Sequence, residues 1–255
     1  MTFTGKSADM HVDIFIRTYK NDLPWLAYAL KSIHKYVTGY RNIIVAIPMD
    51  QVRLLSHLSV EKVVGVHDLD DGYLGQQLTK MQAWKLTDAD AVVFWDSDVV
   101  ATRPIDIKDE YFTSGCSAPR RIKMYKTRYS SMPDNPWRPI VAKAMAVLDP
   151  EWEYMRRMPL VYWRSTLEGC QHFMENIHKC SLESYLRAQP HRAFSEFNTL
   201  GTYAKWFGSE RSNIDTYEFI DTESIDMPPC AVDQMWSWGG LTHEVMEKMR
   251  AYGLA

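Results

Sequence analysis

The sequence predicts an α/β protein with a mostly parallel sheet, helices on both faces of that sheet, and a helical C-terminal part. Two observations support this fold class. Strand-forming segments alternate with segments of helical spacing through the first half of the chain, which is typical of βαβ units. The strand segments are also nearly continuous apolar runs, as expected for strands that are buried on both faces.

Each element of the first half follows from its own local pattern. Leu26, Leu30 and Ile33 share one face of segment 23–36, and this spacing predicts a helix. Pro24 falls in the first turn, where proline is tolerated, and Asn21 and Asp22 offer a cap. The predicted strands are 12–18, 42–47, 60–66 and 91–95, and the predicted helices are 23–36 and 74–86.

The second half changes in character. Segment 120–139 is rich in arginine, lysine and proline, and we expect a long irregular basic loop that serves either as a lid or as a solvated surface excursion. The remaining predicted elements are helices 163–179, 181–187, 194–207 and 242–252, and a strand at 217–220.

Composition limits the function classes. The chain has 255 residues, of which 46% are hydrophobic and 24% charged, as in ordinary soluble proteins. The net charge of −3 provides no overall field for nucleic acid. The sequence contains neither the roughly 20-residue apolar run of a membrane span nor a signal peptide. Four scattered cysteines without CxxC spacing (Cys116, Cys170, Cys180, Cys230) suggest free thiols. We therefore expect a cytoplasmic protein.

The most informative motif is Asp96-Ser97-Asp98, which follows the predicted strand 91–95. Alternate residues of a strand point the same way, so the carboxylates of Asp96 and Asp98 are expected to approach one point. Two carboxylates suit a divalent cation that already carries phosphate ligands. The other interpretation is a strand followed by an acidic turn.

Three further segments contain candidate site residues. Gln76, Gln77 and Lys80 lie on a predicted helix that leads to the Asp96 strand, and they are candidates to bind ribose, phosphate or the Asp96 carboxylate; a polar outer helix face is the alternative. Glu196 stands between Phe194 and Phe197, where partial burial would raise its pKa towards that of a general base.

The third segment is the tail, where Trp236 and Trp238 stand beside Gly239 and Gly240. Paired glycines allow a ligand to approach the backbone closely. His243 follows and is a candidate metal ligand, although a lone helical histidine is more often structural or exposed. No P-loop and no G-x-G-x-x-G motif is present, so phosphate would be bound through a metal and cationic side chains.

Together these segments resemble the GT-A-type glycosyltransferases and, more narrowly, the DUF6492-type glycosyltransferases of bacteria and phages. The matching pieces extend from about residue 12 to 207. They are Ile16-Arg17-Thr18-Tyr19, Gly72 to Lys80, Phe94-Trp95-Asp96-Ser97-Asp98, and Phe194-Ser195-Glu196-Phe197. The resemblance implies a single GT-A-like domain over residues 1–255, with a nucleotide-binding half at about 12–110 and an acceptor-side half at about 111–255.

The resemblance also implies a function. The protein would use Mn²⁺ or Mg²⁺ to move a sugar from a nucleotide-sugar donor, with a UDP-sugar favoured, to a hydroxyl acceptor such as a saccharide or glycan. Asp98 would be the principal metal ligand, and Asp96 would contact ribose or metal. Thr18 and Tyr19 would border the base, Lys80 would lie near the phosphates, and Glu196 would face the acceptor.

Alternatives remain at this stage. The tail does not reproduce the late histidine motif of many such enzymes, so the third metal ligand is open. A nucleotidyltransferase is disfavoured because no glycine-rich loop follows the first strand. A phage-type enzyme that acts on a hydroxymethylated base in DNA, and a non-catalytic nucleotide- or carbohydrate-binding domain, are the other hypotheses. Inversion is expected if Glu196 is the base, and retention if no base is placed there.

Overall fold

A computed structural model describes residues 10–113, 120–156, 158–207, 216–225 and 229–255. Its strands are β1 (Val12–Arg17), β2 (Val37–Thr38), β3 (Ile43–Pro48), β4 (Lys62–Val66), β5 (Ala91–Phe94), β6 (Val99–Ala101), β7 (Ile105–Asp106), β8 (Arg121–Arg128), β9 (Trp152–Glu153), β10 (Leu160–Trp163), β11 (Thr216–Asp221) and β12 (Val232–Gln234). Its α-helices are α1 (Leu23–Tyr36), α2 (Gly72–Met81), α3 (Ile107–Tyr111), α4 (Trp137–Met145), α5 (Arg164–His178), α6 (Leu182–Arg187), α7 (Glu196–Phe207) and α8 (His243–Ala251).

The central sheet has five strands in the order β10-β5-β1-β3-β4. Ile14 lies opposite Ile43 and Val93 in parallel register, and Val161 of β10 lies opposite Val93 in antiparallel register. All residues of β1, β3, β5 and β10 are buried, so both faces of the inner sheet are covered. The prediction of an α/β protein with a mostly parallel sheet is confirmed.

Helices cover this sheet through apolar contacts. Phe94 of β5 makes edge-to-face contacts with Phe15 of β1 and with Phe197 of α7, whose ring centroid lies 5.4 Å away. Leu26 and Ile33 of α1 are fully buried in the same hydrophobic core, as their spacing predicts. The core continues from the first strands into the second half of the chain.

Three smaller sheets accompany the central one among the described residues, and the smallest pairs β2 with β7 in parallel. Strands β11, β8 and β9 form a three-stranded sheet, with β11 parallel to β8. Strand β12 pairs antiparallel with β6, with Gln234 opposite Val99. Because β6 follows the Asp96-Ser97-Asp98 motif directly, this pairing brings the tail of the chain to the motif.

The prediction of an irregular basic loop over residues 120–139 is wrong. Strand β8 occupies its first part and α4 begins at its end, with a 3₁₀ turn at Tyr129–Ser131 between them. The strand alternates as the pleat requires, with Ile122, Met124 and Lys126 buried. The buried lysine, whose amine lies over the Trp152 ring, concealed this alternation in the sequence.

Two further boundaries differ from the prediction. Trp163, which we expected to begin a helix, is the last residue of β10, and α5 begins after it. The predicted helix 74–86 ends as an α-helix at Met81 and continues as a 3₁₀ turn at Ala83–Lys85. The other predicted elements are present with bounds that shift by one or two residues, which is the usual scatter of helix and strand ends.

Within the described ranges, no helix combines the length and the apolar character needed to cross a membrane. Cys170, Cys180 and Cys230 are free thiols. Cys116 and most of the N-terminal segment tested for a signal peptide lie outside the described residues.

Asp13 is a buried charged residue of β1, and its substitution provides the first test. Its buried carboxylate accepts hydrogen bonds from Arg41 Nε (3.0 Å) and Nη2 (2.8 Å) and from the Thr87 hydroxyl. Asp13→Ala should lower the free energy of unfolding by about 2–4 kcal/mol, because several buried donors lose their partner. Urea unfolding measures this loss.

The control is Asp88→Ala. Asp88 also binds Arg41 (2.6 Å) but its side chain is exposed, so the stability should change little. Equal losses of unfolding free energy in the two variants would show that the burial of Asp13 does not determine its contribution to stability.

Candidate functional site

A pocket of about 430 Å³ opens at the carboxyl ends of β1 and β3. In parallel sheets, ligands bind at this edge. The pocket joins segments that are far apart in sequence. It is lined by Arg17, Thr18, Tyr19, Pro48, Gln51, Asp68, Gly72, Tyr73, Gln76, His191 and Arg192. Three of the residues predicted to bind the nucleotide, Thr18, Tyr19 and Gln76, therefore line one cavity.

A partly buried ion pair lines the pocket. Arg17 Nη2 lies 2.7 Å from Asp68 Oδ2, and Asp68 packs so closely on α2 that a Cβ on Gly75 would lie 1.7 Å from Asp68 Oδ1. Arg17 Nε and Thr18 Oγ1 are buried without a hydrogen-bond partner. Buried polar groups without partners are rare in proteins and are commonly explained by a missing water or ligand.

A buried group of three charges lies next to this region. The Lys80 amine of α2 is 2.8 Å from Asp96 Oδ1, after β5, and 3.1 Å from Glu196 Oε1, at the start of α7. It also lies over the Phe197 ring, 4.7 Å from its centroid. We call Lys80, Asp96 and Glu196 the ion triad. Burial opposes the charge on Lys80, but the two carboxylates raise its pKa above the ordinary value.

Glu196 is 2% exposed. Burial raises the pKa of its carboxyl; Lys80 opposes this shift and the Asp96 charge adds to it. The backbone N–H of Glu196 donates to Gln77 Oε1 at 2.9 Å, so Gln77 fixes the start of α7. One ammonium facing two carboxylates leaves a net negative charge in the triad.

Asp98 belongs to a second group of acidic and hydroxyl side chains. Its Oδ2 accepts from the backbone N–H of Ser237 at 2.8 Å, and the Ser97 hydroxyl donates to Asp22 Oδ2 at 3.3 Å. The Ser237 hydroxyl lies close enough to Asp22 and Asp98 to oppose the rise in pKa that burial causes in both carboxyls. We call Asp22, Ser97, Asp98 and Ser237 the acidic cluster.

The carboxylates of this cluster repel each other. Burial raises the pKa of Asp98; the Ser237 N–H opposes this shift and the Asp96 charge adds to it. Burial likewise raises the pKa of Asp22, and the Asp98 charge is the next cause. A proton or a cation that reduces the charge of such carboxylates therefore stabilises the folded protein.

The donor set is chemically suited to Mg²⁺ or Mn²⁺, which prefer carboxylate and hydroxyl oxygens. Among the described residues, however, no group of three or more His, Cys, Asp and Glu side chains is arranged to hold a metal ion alone. A metal here would need other ligands, such as phosphate oxygens. Among the described contacts, none joins His243 to the acidic cluster. Its side chain is 87% exposed, and its Nε2 lies 3.8 Å from Glu247 Oε1.

The tail segment 236–240 borders the acidic cluster. Trp236 has left-handed backbone angles (φ 54°, ψ 81°), and a 3₁₀ turn at Ser237–Gly239 follows it. Such a conformation in a bulky residue costs on the order of 1–3 kcal/mol and is common at functional sites. The hydrogen bond from the Ser237 N–H to Asp98 Oδ2 places this turn beside the Asp96-Ser97-Asp98 motif.

Sequence analysis missed Asp22 and Ser237. Asp22 was interpreted as a helix cap, and it does occupy the N-cap position of α1, but its side chain makes no capping hydrogen bond and contacts Ser97 instead. Ser237 carried no local signal, because its role depends on the pairing of β12 with β6. Arg17 ends β1 and Asp68 follows β4, so their positions at the carboxyl ends of neighbouring strands were the signal available in the sequence.

Comparison with known proteins adds no relative. The sequence matches no protein-family model, and a search of the curated proteins gives no significant match.

The crowding of carboxylates provides the second test. Asp98→Asn keeps an oxygen for the Ser237 N–H and removes one charge, so at pH 7 and without divalent cations the melting temperature should rise by roughly 2–4 °C. A raised pKa means that the folded protein holds the proton more tightly than the unfolded chain. The charge of Asp98 therefore destabilises the protein at pH 7, and the gain should shrink as the pH falls towards the ordinary value of 3.8.

Asp70→Asn, at a fully exposed position, is the matched control and should leave the melting temperature unchanged. A lower melting temperature for Asp98→Asn would show that Asp98 acts as a structural hydrogen-bond acceptor and not as a crowded charge.

Proposed function

We propose that the protein is a metal-dependent glycosyltransferase of the GT-A type, which moves a sugar from a nucleotide-sugar donor, with a UDP-sugar favoured, to a hydroxyl of a saccharide or glycan. One observation supports this most strongly: the pocket and Asp98 lie at the same edge of the sheet. The pocket is at the carboxyl ends of β1 and β3, and Asp98 follows β5, which pairs in parallel with β1. Tyr19, which lines the pocket, is joined to Asp22 by a turn hydrogen bond of 2.9 Å, so a ligand that also reaches beyond Tyr19 would approach Asp22 and Asp98.

The pocket suits the nucleoside. Its volume of about 430 Å³ is within the usual range for small-molecule sites. Thr18, Tyr19 and Gln76 provide hydroxyl and amide groups for a base and ribose. Tyr19 is 43% exposed, so its ring is available to stack on a base.

Asp98 and Asp22 are the residues that would hold Mn²⁺ or Mg²⁺, and both carry raised pKa values that a cation would offset. When bound, the metal supplies charge neutralisation for the leaving nucleoside diphosphate. The two carboxylates leave other coordination positions for phosphate oxygens, as is usual for Mg²⁺. Asp96 forms an ion pair with Lys80 and connects the ion triad to the acidic cluster.

In the transfer, the acceptor oxygen forms a bond to the anomeric carbon of the sugar. The bond between that carbon and the diphosphate oxygen breaks, its electron pair leaves with the nucleoside diphosphate, and the acceptor proton passes to a base. The raised pKa of Glu196 favours it as that base. Its pairing with Lys80 favours a second role, in which Glu196 positions the lysine against Asp96.

The function is tested by nucleoside diphosphate release from a panel of UDP-, GDP- and TDP-sugars, with Mn²⁺ and with EDTA. We expect release from one donor class, loss of release in EDTA, and loss of at least about 100-fold in Asp98→Asn. The Asp70→Asn variant should retain the parent rate. Metal-independent release, or full activity in Asp98→Asn, would contradict the proposal.

Glu196→Gln separates the two roles of this residue. Loss of the base should lower kcat by roughly 10²–10⁴-fold with little change in donor KM, and should remove the corresponding limb of the pH profile. A pure positioning role would leave the pH profile in place and raise the donor KM. A variant as fast as the parent would exclude Glu196 from the reaction.

A further inference from the structure

Two exposed tryptophans stand on the tail that borders the acidic cluster. Trp236 is 55% exposed and Trp238 is 85% exposed. They flank Ser237, so both indoles are attached one residue away from a group that binds Asp98 directly. Large apolar side chains with this exposure commonly mark binding sites.

The position of this turn is fixed by hydrogen bonds to one residue. The backbone N–H of Met235 donates to the Asp98 carbonyl at 2.8 Å, and that of Ser237 donates to Asp98 Oδ2 at 2.8 Å. The pairing of β12 with β6 continues this contact. The backbone that carries the two indoles is therefore held beside Asp98 and is not a free end of the chain.

The turn is open on its outer side. A Cβ added to Gly239 or to Gly240 would meet no atom within 4 Å. The Asp98 carboxylate accepts from the Ser237 N–H at 2.8 Å, so an acceptor group is bound to the residue that stands between the two tryptophans. An apolar platform beside carboxylates matches a pyranose, which has C–H groups on its faces and donating hydroxyls at its edge.

We propose that the turn from Trp236 to Gly240 is the acceptor subsite and that a pyranose ring of a saccharide stacks on Trp238, with Trp236 as the second wall. The assignment of this saccharide as acceptor rests on the proposed glycosyltransferase function. The carboxylates of Asp22 and Asp98 favour a neutral saccharide over an anionic lipid surface, which they would repel.

The test is binding of labelled protein to immobilised oligosaccharides of glucose, galactose, mannose and N-acetylglucosamine. We expect the parent protein to bind members of one class. Trp238→Ala should weaken that binding about tenfold or more, and Trp238→Phe should retain most of it because the aromatic face remains. Trp206→Ala is the matched control, because Trp206 is also exposed (42%) but lies at the end of α7.

A second measurement separates this proposal from the proposed function. Thermal shift by UDP, GDP and TDP with Mn²⁺ should be equal in the parent and in Trp238→Ala. If saccharide binding depends on Trp238 but no nucleotide changes the melting temperature of the parent, the saccharide site is supported and the proposed glycosyltransferase function is contradicted.

Three results would overturn the saccharide site. They are no saccharide binding by the parent, equal binding by the parent and Trp238→Ala, and binding to phosphatidylcholine–phosphatidylglycerol vesicles that depends on Trp238 in place of saccharide binding.

Discussion

The site depends on the placement of one buried ammonium between two carboxylates. Lys80 comes from α2, Asp96 from the end of β5, and Glu196 from the start of α7, so the ion triad joins three elements that are distant in sequence. Removing one member of such a group leaves buried charges without compensation, at a cost of roughly 3–5 kcal/mol. The position of Asp96 at the edge of the sheet therefore depends on contacts with both halves of the chain.

In the acidic cluster, unlike the ion triad, like charges lie close together and repel each other. Asp22 and Asp98 are partly buried close to one another, and the same burial that shapes the site raises their pKa values. Hydrogen bonds from the hydroxyls of Ser97 and Ser237 and from backbone N–H groups oppose this shift only in part. Destabilised charge of this kind is common where a protein binds a cation or transfers a proton.

The acidic cluster is joined to both the pocket segment and the tail. Tyr19, which lines the pocket, accepts a hydrogen bond from Asp22, and Ser237 of the tail donates one to Asp98. In the proposed transferase, the donor nucleotide, the metal and the saccharide would lie along this edge of the sheet. The strained backbone of Trp236 directly precedes Ser237, and strain of this kind is common at functional sites.

The sequence by itself determined the sheet and the central motif. Continuous apolar runs identified β1, β3 and β5, because a strand buried on both faces needs no polar positions. The two-residue spacing of Asp96 and Asp98 likewise marked the carboxyl end of β5, a local property of the chain. Strand β8 was missed because Lys126 occupies a buried position and makes the segment resemble a basic loop.

Only the tertiary structure decided the partners of these residues. The contact of Asp22 with Ser97, the ion triad and the hydrogen bond from Ser237 to Asp98 all join residues that are far apart in sequence. Local patterns record propensity and periodicity, whereas such contacts arise only when strand pairing and helix packing bring distant segments together. The sequence therefore identified the carboxylates, and the fold selected the side chains that surround them.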